Sequence, residues 1–305
     1  MRTRILAATI VFAACANASL VVTDNFFIKR YNYYTGDFYN TFHPTENNPK
    51  GVTASSTNVY VAMEDFPYPE SFDLTGGNHQ VVTPLVYSQD STGAAIGPDG
   101  NLYIGYGNGV IAYNPATGVP TTDAADGFFF ANTNVPVTDI AWGGNLLYVS
   151  EGIFGEVYNL AGQKVNGWTG NFPPFLHMQG LAFHDGALYA TDLQVSGARI
   201  LRFGDLSNLN NYTVLSNDSH LNQPYGLAFG PNGMLYVANM GSHSVLRFDG
   251  TTGAFVDTFI TGLQFPQFLT FTETADPTPE PGSYLLMGCG LLVLARVGRR
   301  LRAPR

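Results

Sequence analysis

The stretch that decides the fold is YGLAFGPNGMLYVANMGSHSVLRFDGTTG, residues 225–253. It contains three short apolar runs, at 226–229, 235–238 and 245–248, separated by polar segments rich in Gly and Asn. Short apolar runs between Gly-rich turns are typical of antiparallel β-strands. The Asn-Gly and Asp-Gly pairs supply the positive φ that tight hairpins need. A fourth run begins near Ala254, so the stretch predicts one four-stranded antiparallel sheet.

Similar stretches recur along the chain. Each has a tyrosine in its second run, and these tyrosines are Tyr60, Tyr103, Tyr148, Tyr189 and Tyr236. The intervals between them are 43, 45, 41 and 47 residues. Self-similarity at such a period, with four strands in each unit, indicates a β-propeller. No amphipathic helical pattern interrupts the units, which argues against βαβ architecture.

The two ends of the repeated region complement each other. Residues 19–36 match a unit that begins at its second strand, with Val21 in the tyrosine position. The missing first strand is found at 265–271, where FPQFLTF matches the QPYGLAF of 223–229. If the two ends share a blade, the seam has no free sheet edge. The predicted fold class is therefore all-β, a six-bladed β-propeller of four-stranded antiparallel blades whose N- and C-terminal strands share one blade. An open β-solenoid is the alternative, but a solenoid has no reason to divide one unit between its ends.

The units resemble NHL repeats, whose pattern runs Gly-Leu-Ala, then Leu-Tyr-Val-Ala-Asp/Asn, then Val-x-x-Phe. The match is good at 178–253, moderate at 92–162 and poor at 19–76. This resemblance implies a propeller fold, but propellers serve binding, scaffolding and catalysis alike.

The N-terminus has the layout of a secretory signal peptide. Two arginines precede an apolar run of about ten residues, and Ala16 and Ala18 form an A-x-A cleavage site. We therefore expect signal peptidase to remove residues 1–18 and the body to be exported across the inner membrane. A buried N-terminal helix and a lipoprotein signal at Cys15 are the alternatives.

The C-terminus has three parts in a fixed order: a Pro-Glu-Pro motif, an apolar run at 284–295 and a cluster of arginines. The run is shorter than the ~20 residues that a membrane span needs, so we expect a temporary or marginal anchor in the inner membrane. This order resembles the PEP-CTERM sorting signal of Gram-negative bacteria. The resemblance implies an exosortase-type sorting enzyme as a partner and the cell surface or extracellular space as the destination. The motif residues are Pro279, Glu280, Pro281, Arg296, Arg299 and Arg300.

The predicted segments differ sharply in cysteine content and charge. They are a signal peptide at 1–18, the propeller at 19–272, a linker at 273–278 and the sorting and anchor segment at 279–305. Both cysteines lie outside the body, so the body has no disulfide or thiolate metal site. The body, here residues 19–278, holds 22 acidic and 7 basic side chains, a net charge of about −15. This charge repels a phosphate backbone, so we expect no nucleic-acid partner; cations and neutral sugars fit better.

The repeats also resemble those of the gluconolactonase and regucalcin family, six-bladed hydrolases that hold a divalent cation at the mouth of the central channel. The resemblance implies ligands just before the Gly-apolar start of the innermost strands. The corresponding residues are Lys50, Thr92, Thr138, Gln179, Tyr225 and Gln267, with Asp139 one position further along. None of the first six is a carboxylate, whereas a hard cation prefers oxygen ligands that include carboxylates. We therefore treat this set as a candidate channel-mouth binding ring and expect no catalytic residue and no cofactor, with calcium left open.

A second candidate ring follows the central strands. It consists of Asp24, Glu151, Asp192 and Asn239, with Met63 and Tyr106 at the equivalent positions of the other units. Carboxylates and amides at a common rim can attract a cation. The alternative is structural, because Asp and Asn also cap polar loops by accepting backbone N–H groups.

These observations predict an exported, non-catalytic cell-surface or extracellular-matrix protein whose propeller binds an exopolysaccharide or a protein partner. The alternative is a divalent-cation-dependent hydrolase or lactonase of the gluconolactonase type. A channel lined by Gln, Thr and Tyr favours the binding protein, whereas a carboxylate among the channel-mouth ligands favours the enzyme.

Overall fold

Six four-stranded antiparallel sheets carry the described part of the chain. The computed structural model describes residues 17–42, 48–64, 68–82, 91–121, 130–133, 135–168, 177–194 and 197–274. These residues contain no α-helix, and a 3-10 turn lies at Met240–Ser242. The unit that holds the sheets spans Ala18–Thr272.

The blades follow one another along the chain. Blades 2 to 6 each run from their innermost to their outermost strand, whereas blade 1 begins at its second strand. Blade 1 holds β1 (Asn17–Asp24), β2 (Phe27–Asn32) and β3 (Phe38–Thr41). Blade 2 holds β4 (Pro49–Ala54), β5 (Asn58–Met63), β6 (Glu70–Asp73) and β7 (Gln80–Val81). Blade 3 holds β8 (Ser91–Ile96), β9 (Leu102–Tyr106), β10 (Gly109–Tyr113) and β11 (Ala131–Asn132). Blade 4 holds β12 (Asp139–Gly143), β13 (Leu146–Glu151), β14 (Phe154–Asn159) and β15 (Lys164–Trp168). Blade 5 holds β16 (Met178–His184), β17 (Ala187–Gln194), β18 (Gly197–Phe203) and β19 (Thr213–Ser216). Blade 6 holds β20 (Pro224–Phe229), β21 (Leu235–Asn239), β22 (Ser244–Phe248) and β23 (Phe255–Ile260), and β24 (Pro266–Thr274) returns to blade 1.

The two chain ends meet in blade 1, as the sequence predicts. The strand order there is β24-β1-β2-β3, so the last strand becomes the innermost strand of the first blade. The hydroxyl of Thr23 accepts the Phe268 N–H at 3.0 Å, and the Asn25 N–H donates to the Phe265 carbonyl at 3.3 Å. The six-bladed propeller with a shared blade is therefore confirmed.

Each sheet buries both of its faces because it lies between two neighbours. Side chains alternate along a strand, so successive residues of a middle strand enter opposite interblade clusters. In β5, Val59 and Val61 pack with residues of blade 1, whereas Tyr60 and Ala62 pack with residues of blade 3. The tyrosine that marks each repeat is thus a core residue that fills the interface with the next blade.

The innermost strands approach each other backbone to backbone. A Cβ added to Gly180 would lie 2.5 Å from the Tyr225 carbonyl oxygen and 2.7 Å from the Gly226 Cα, distances that real Cβ atoms do not reach. Blades 2, 3, 5 and 6 have glycine at this position, and blades 4 and 1 have Asp139 and Phe268. The four glycines are Gly51, Gly93, Gly180 and Gly226.

The predicted targeting segments fall almost entirely outside the described residues. Residues 1–16 and 275–305 are not described, and they include Ala16, the Pro-Glu-Pro motif and the arginine cluster. The strand β1 begins at Asn17, so the predicted cleavage point after Ala18 falls within it, and β24 extends into the predicted linker. Among the described residues, no helix is long and apolar enough to cross a membrane.

Candidate functional site at the channel mouth

The predicted channel-mouth ring occupies one position in all six innermost strands. It is the second residue of β4, β8, β16, β20 and β24, and in blade 4 it is the residue directly before β12. In blades 2, 3, 5 and 6 this position lies in a register shift, where the innermost strand bulges away from the middle strand. Five of the six side chains are half-buried, and Gln267 is only 6% exposed.

The two threonines of the ring tie neighbouring strands together. The Thr92 hydroxyl donates to the Val137 carbonyl of the next blade at 2.8 Å. The Thr138 hydroxyl lies 2.9 Å from the Ser150 hydroxyl and 3.3 Å from the Met178 carbonyl oxygen. Both hydroxyl groups therefore bond to the backbone of the next blade and hold neighbouring innermost strands together.

The remaining ring residues include an amide with an unmet acceptor. The Gln267 Oε1 atom is buried and has no hydrogen-bond partner among the described residues. A buried carbonyl oxygen without a donor is destabilising, so such atoms in folded proteins call for a donor from water or from a ligand. Gln267 is thus the ring member whose chemistry points to a missing partner.

One carboxylate at the mouth was not predicted from the sequence. Glu64 follows β5 directly and forms an ion pair with Lys50 at 3.0 Å, while the Asn48 side chain donates to the same carboxylate. Burial raises the pKa of the Tyr225 hydroxyl, and the Glu64 carboxylate raises it further. Because Glu64 belongs to blade 2 and Tyr225 to blade 6, the two blades present their polar side chains to a common region.

Asp139 does not join the ring. It occupies the glycine position of its innermost strand, where it is buried, and its Oδ2 accepts the Leu181 N–H of blade 5 at 2.7 Å. Burial raises the pKa of this carboxyl to about 7, although the N–H groups of Leu181 and Ile140 act in the opposite direction. The side chain therefore links two blades inside the propeller wall.

The rim residue of blade 1 caps a loop. Asp24 is fully buried, and its Oδ1 accepts the N–H groups of Gln264 at 2.8 Å and Phe265 at 2.6 Å. Its Oδ2 lies 2.6 Å from the Lys29 ammonium. Both N–H groups belong to the loop that leads into β24, so Asp24 fixes the segment that closes the ring.

Asp192 and Asn239 repeat this arrangement in blades 5 and 6. The Asp192 Oδ1 accepts the His177 N–H at 2.7 Å, directly before β16, and its Oδ2 accepts from Arg199 Nε at 3.0 Å. The Asn239 Oδ1 accepts the Asn222 N–H at 2.8 Å, two residues before β20. At three of the four predicted rim positions, the side chain thus accepts backbone N–H groups of a loop, which is the structural alternative given above.

Glu151 is different because it meets a second carboxylate. It is 6% exposed, and burial together with the nearby Glu156 raises its pKa to about 7; Lys164 and the Val135 N–H act in the opposite direction. Glu156 is itself occupied, since the Tyr158 hydroxyl and the Lys164 ammonium both bond to it. Burial and the neighbouring Glu156 thus both favour the protonated form of the Glu151 carboxyl.

The donor set of the mouth does not fit a divalent cation. Within the described ranges, no group of three or more His, Cys, Asp or Glu side chains is arranged to hold a metal ion. Glu64, a carboxylate next to the ring, is paired with Lys50, and a hard cation needs several free oxygen ligands.

Comparison with known proteins shows the fold alone. No family model matches this chain, and no curated protein matches it. A chain in the crystal structure of the nidogen/laminin complex is similar, with a TM-score of 0.67 and 15% identity over 85% of this chain and 99% of that chain. A protein of unknown function from Bacteroides caccae is also similar, with a TM-score of 0.62 and 14% identity over 85% of this chain and 100% of that chain. At these identities the likeness is one of architecture, and it agrees with the six-bladed propeller described above.

Proposed function

We propose that this chain is an exported, non-catalytic binding protein whose propeller holds an exopolysaccharide at the channel mouth. The observation that carries the proposal is the ring of polar side chains at the mouth, five of them half-buried, together with the buried Gln267 Oε1, an acceptor that has no donor among the described residues. A sugar hydroxyl supplies such a donor without bringing charge. A neutral glycan also suits a body whose net charge of about −15 repels polyanions.

The chemistry of the carboxylates supports binding over hydrolysis. A cation-dependent lactonase needs free oxygen ligands at the channel mouth. Asp24 and Asp192 instead accept backbone N–H groups and pair with Lys29 and Arg199. The use of these oxygens as loop caps leaves few of them for a metal.

A protein ligand is the second candidate. The observation in its favour is the likeness to a chain from the nidogen/laminin complex, a structure of one protein bound to another. The same half-buried polar residues at the mouth would then contact the backbone or side chains of a partner protein.

Export and sorting belong to the same proposal. The signal peptide at 1–18, the NHL-like repeats and the PEP-CTERM-like tail at 279–305 are all sequence resemblances. The two terminal resemblances support export across the inner membrane, with signal peptidase and an exosortase-type enzyme acting on the two ends of the chain. Mass spectrometry of the mature chain tests this, since it should begin at Ser19 and lack part of the arginine cluster. A full-length chain recovered from the cytoplasm would contradict it.

Binding is tested on a glycan array with the full chain and two variants. Gln267→Met removes the acceptor with little change in size, and we expect it to weaken glycan binding about tenfold. Val256→Thr, at an exposed position in the outermost strand of blade 6, is the control and should bind like the wild type. Unchanged binding by Gln267→Met would show that the glycan does not bind at the mouth. Calcium-dependent turnover of a lactone would replace the proposal with the hydrolase.

A further inference from the structure

A groove opens between blades 5 and 6 at the end opposite the channel mouth. Its volume is about 550 Å³, within the ~300–1,000 Å³ typical of ligand sites. It is lined by the hairpin that follows β16, by the outer strand β19 and by the turn at 250–252. The mouth ring lies at the start of β16 and this hairpin at its end, so the groove and the mouth are separate surfaces.

The groove contains an arginine that lacks the carboxylate its counterpart has. Arg202 in β18 and Arg247 in β22 occupy equivalent positions, each directly across from the repeat tyrosine of its blade. On the other side, Arg247 faces Asp257, and the two form a bidentate ion pair with Nε donating at 2.7 Å. Arg202 faces Thr213 instead, which brings no charge.

The guanidinium of Arg202 therefore has a positive charge that no described carboxylate neutralises, and N–H groups available for a ligand. Its Nε donates to the Tyr189 hydroxyl at 3.2 Å, and its Cζ lies 6.0 Å from the centre of that ring. Within the described part of the chain it makes no ion pair. Because a guanidinium binds a carboxylate through two parallel N–H groups, the space next to Arg202 suits a ligand with one carboxylate.

The rest of the groove suits the ring of a sugar. The His184 ring stacks on Phe229 with centroids 4.0 Å apart, and Tyr189 packs edge-on against Phe229 at 4.7 Å. Thr251 and Thr252 also line the groove, and the Thr252 hydroxyl donates to the Asp249 carboxylate at 2.8 Å. Aromatic rings beside hydroxyl groups offer both apolar contact and hydrogen bonds. A sugar ring is complementary to such a surface, because it combines an apolar face with hydroxyl groups.

We propose that this groove binds a carboxylate-bearing sugar, such as a uronic acid unit, with the carboxylate on Arg202 where blade 6 has Asp257. The choice of a sugar rests on the proposed glycan-binding function, but the site is a different one. The acidic body disfavours a dense polyanion, so the ligand is a glycan with isolated carboxylates. Asp185 also lines the groove, but its side chain is 88% exposed and water screens its charge.

The test uses the full chain and three probes. These are a glucuronic acid–glucose disaccharide, the neutral glucose–glucose disaccharide of the same linkage, and a short peptide with a single aspartate. We expect the wild type to bind the uronate disaccharide about tenfold or more tightly than the neutral one in calorimetric titration. Thr213→Asp supplies the carboxylate that blade 6 has, and it should abolish this preference.

Matched variants separate charge from shape. Thr213→Asn has nearly the size of Asp without its charge, so it should retain the preference for the uronate. Arg202→Gln should lose it, with urea unfolding as a check that the variant is folded. The mouth variant Gln267→Met should leave uronate binding unchanged, which distinguishes this site from the one proposed above.

Three results would overturn the inference. One is equal affinity of the wild type for the charged and neutral disaccharides. Another is a Thr213→Asp variant that binds the uronate as well as Thr213→Asn does. The third is tighter binding of the aspartate peptide than of the uronate disaccharide, because the ligand would then be a protein.

Discussion

Replacing Asp24 by alanine should loosen the seam at which the propeller closes. The Asp24 Oδ1 accepts the N–H groups of Gln264 and Phe265, and no other described atom accepts from these groups. Both hydrogen bonds are part-buried and have a charged acceptor, and a bond of this kind contributes about 1.5–3 kcal/mol, so the loss of two costs roughly 3–6 kcal/mol. Lys29 also loses its partner at 2.6 Å, which places the expected loss in the upper half of this range.

The matched control is Asp24→Asn, because blade 6 already uses an asparagine, Asn239, in the same role. The amide oxygen retains an acceptor for the two N–H groups, but the amide NH2 takes the place of the oxygen that Lys29 contacts, so both the charge and that acceptor are lost. We expect this variant to lose about 1–2 kcal/mol. Urea unfolding gives both free energies, and hydrogen exchange at Gln264 and Phe265 should accelerate in the alanine variant alone.

Equal losses for the alanine and asparagine variants would refute the capping argument, because the charge rather than the acceptor would then matter. A loss below about 1 kcal/mol for Asp24→Ala would show that water replaces the carboxylate at these N–H groups. The loop before β24 would then be held by other contacts, and the closure of the ring would not depend on Asp24.

Three further predictions concern the innermost strands. Burial raises the pKa of Asp139 to about 7, so the folded chain keeps a proton that the unfolded chain releases near pH 4. The wild type should therefore lose stability relative to Asp139→Asn as the pH rises from about 4 to 7, measured as urea midpoints. Gly180→Ala should cost about 1–3 kcal/mol because its Cβ meets the Tyr225 backbone, whereas Gly204→Ala meets only the end of an arginine side chain and should cost less. Thr191→Val should cost about 1–3 kcal/mol, because the Gly180 N–H loses its 2.9 Å acceptor; thermal unfolding measures all three variants.

The blade count was predictable because the core of a propeller repeats. In five of the six blades the second strand sends a tyrosine into the same interblade position, and the recurrence of these tyrosines every 41 to 47 residues is visible in the sequence. The divided blade was predictable for the same reason, since Val21 and the strand at 266–274 supply complementary parts of one unit.

The site was less predictable because its residues depart from the repeat. Glu64 lies one position after the rim residue Met63, where alignment on the tyrosines gives it no role. The cap at Asp24 joins residues 240 positions apart, and only the closed ring brings them together. Thr213 lies in an outermost strand whose register shifts beside Ile200, so counting along the sequence does not align it with Asp257.

The affinity of the groove between blades 5 and 6 follows from the exposure of Arg202. This side chain is half-buried, so water hydrates part of the guanidinium. The free energy gained on binding a carboxylate is therefore only the difference between the ion pair and this hydration. One charge-assisted pair of this kind contributes about 1.5–3 kcal/mol, which corresponds to a factor of roughly ten to a hundred and fifty. A single sugar unit should therefore bind weakly. A polymer that repeats the unit gains from effective concentration, because each released unit is replaced by its neighbour on the same chain. The expected ligand is thus a repeating glycan whose carboxylates are separated by neutral sugars, and its apparent affinity for one copy of the protein should rise roughly in proportion to the number of units on the strand.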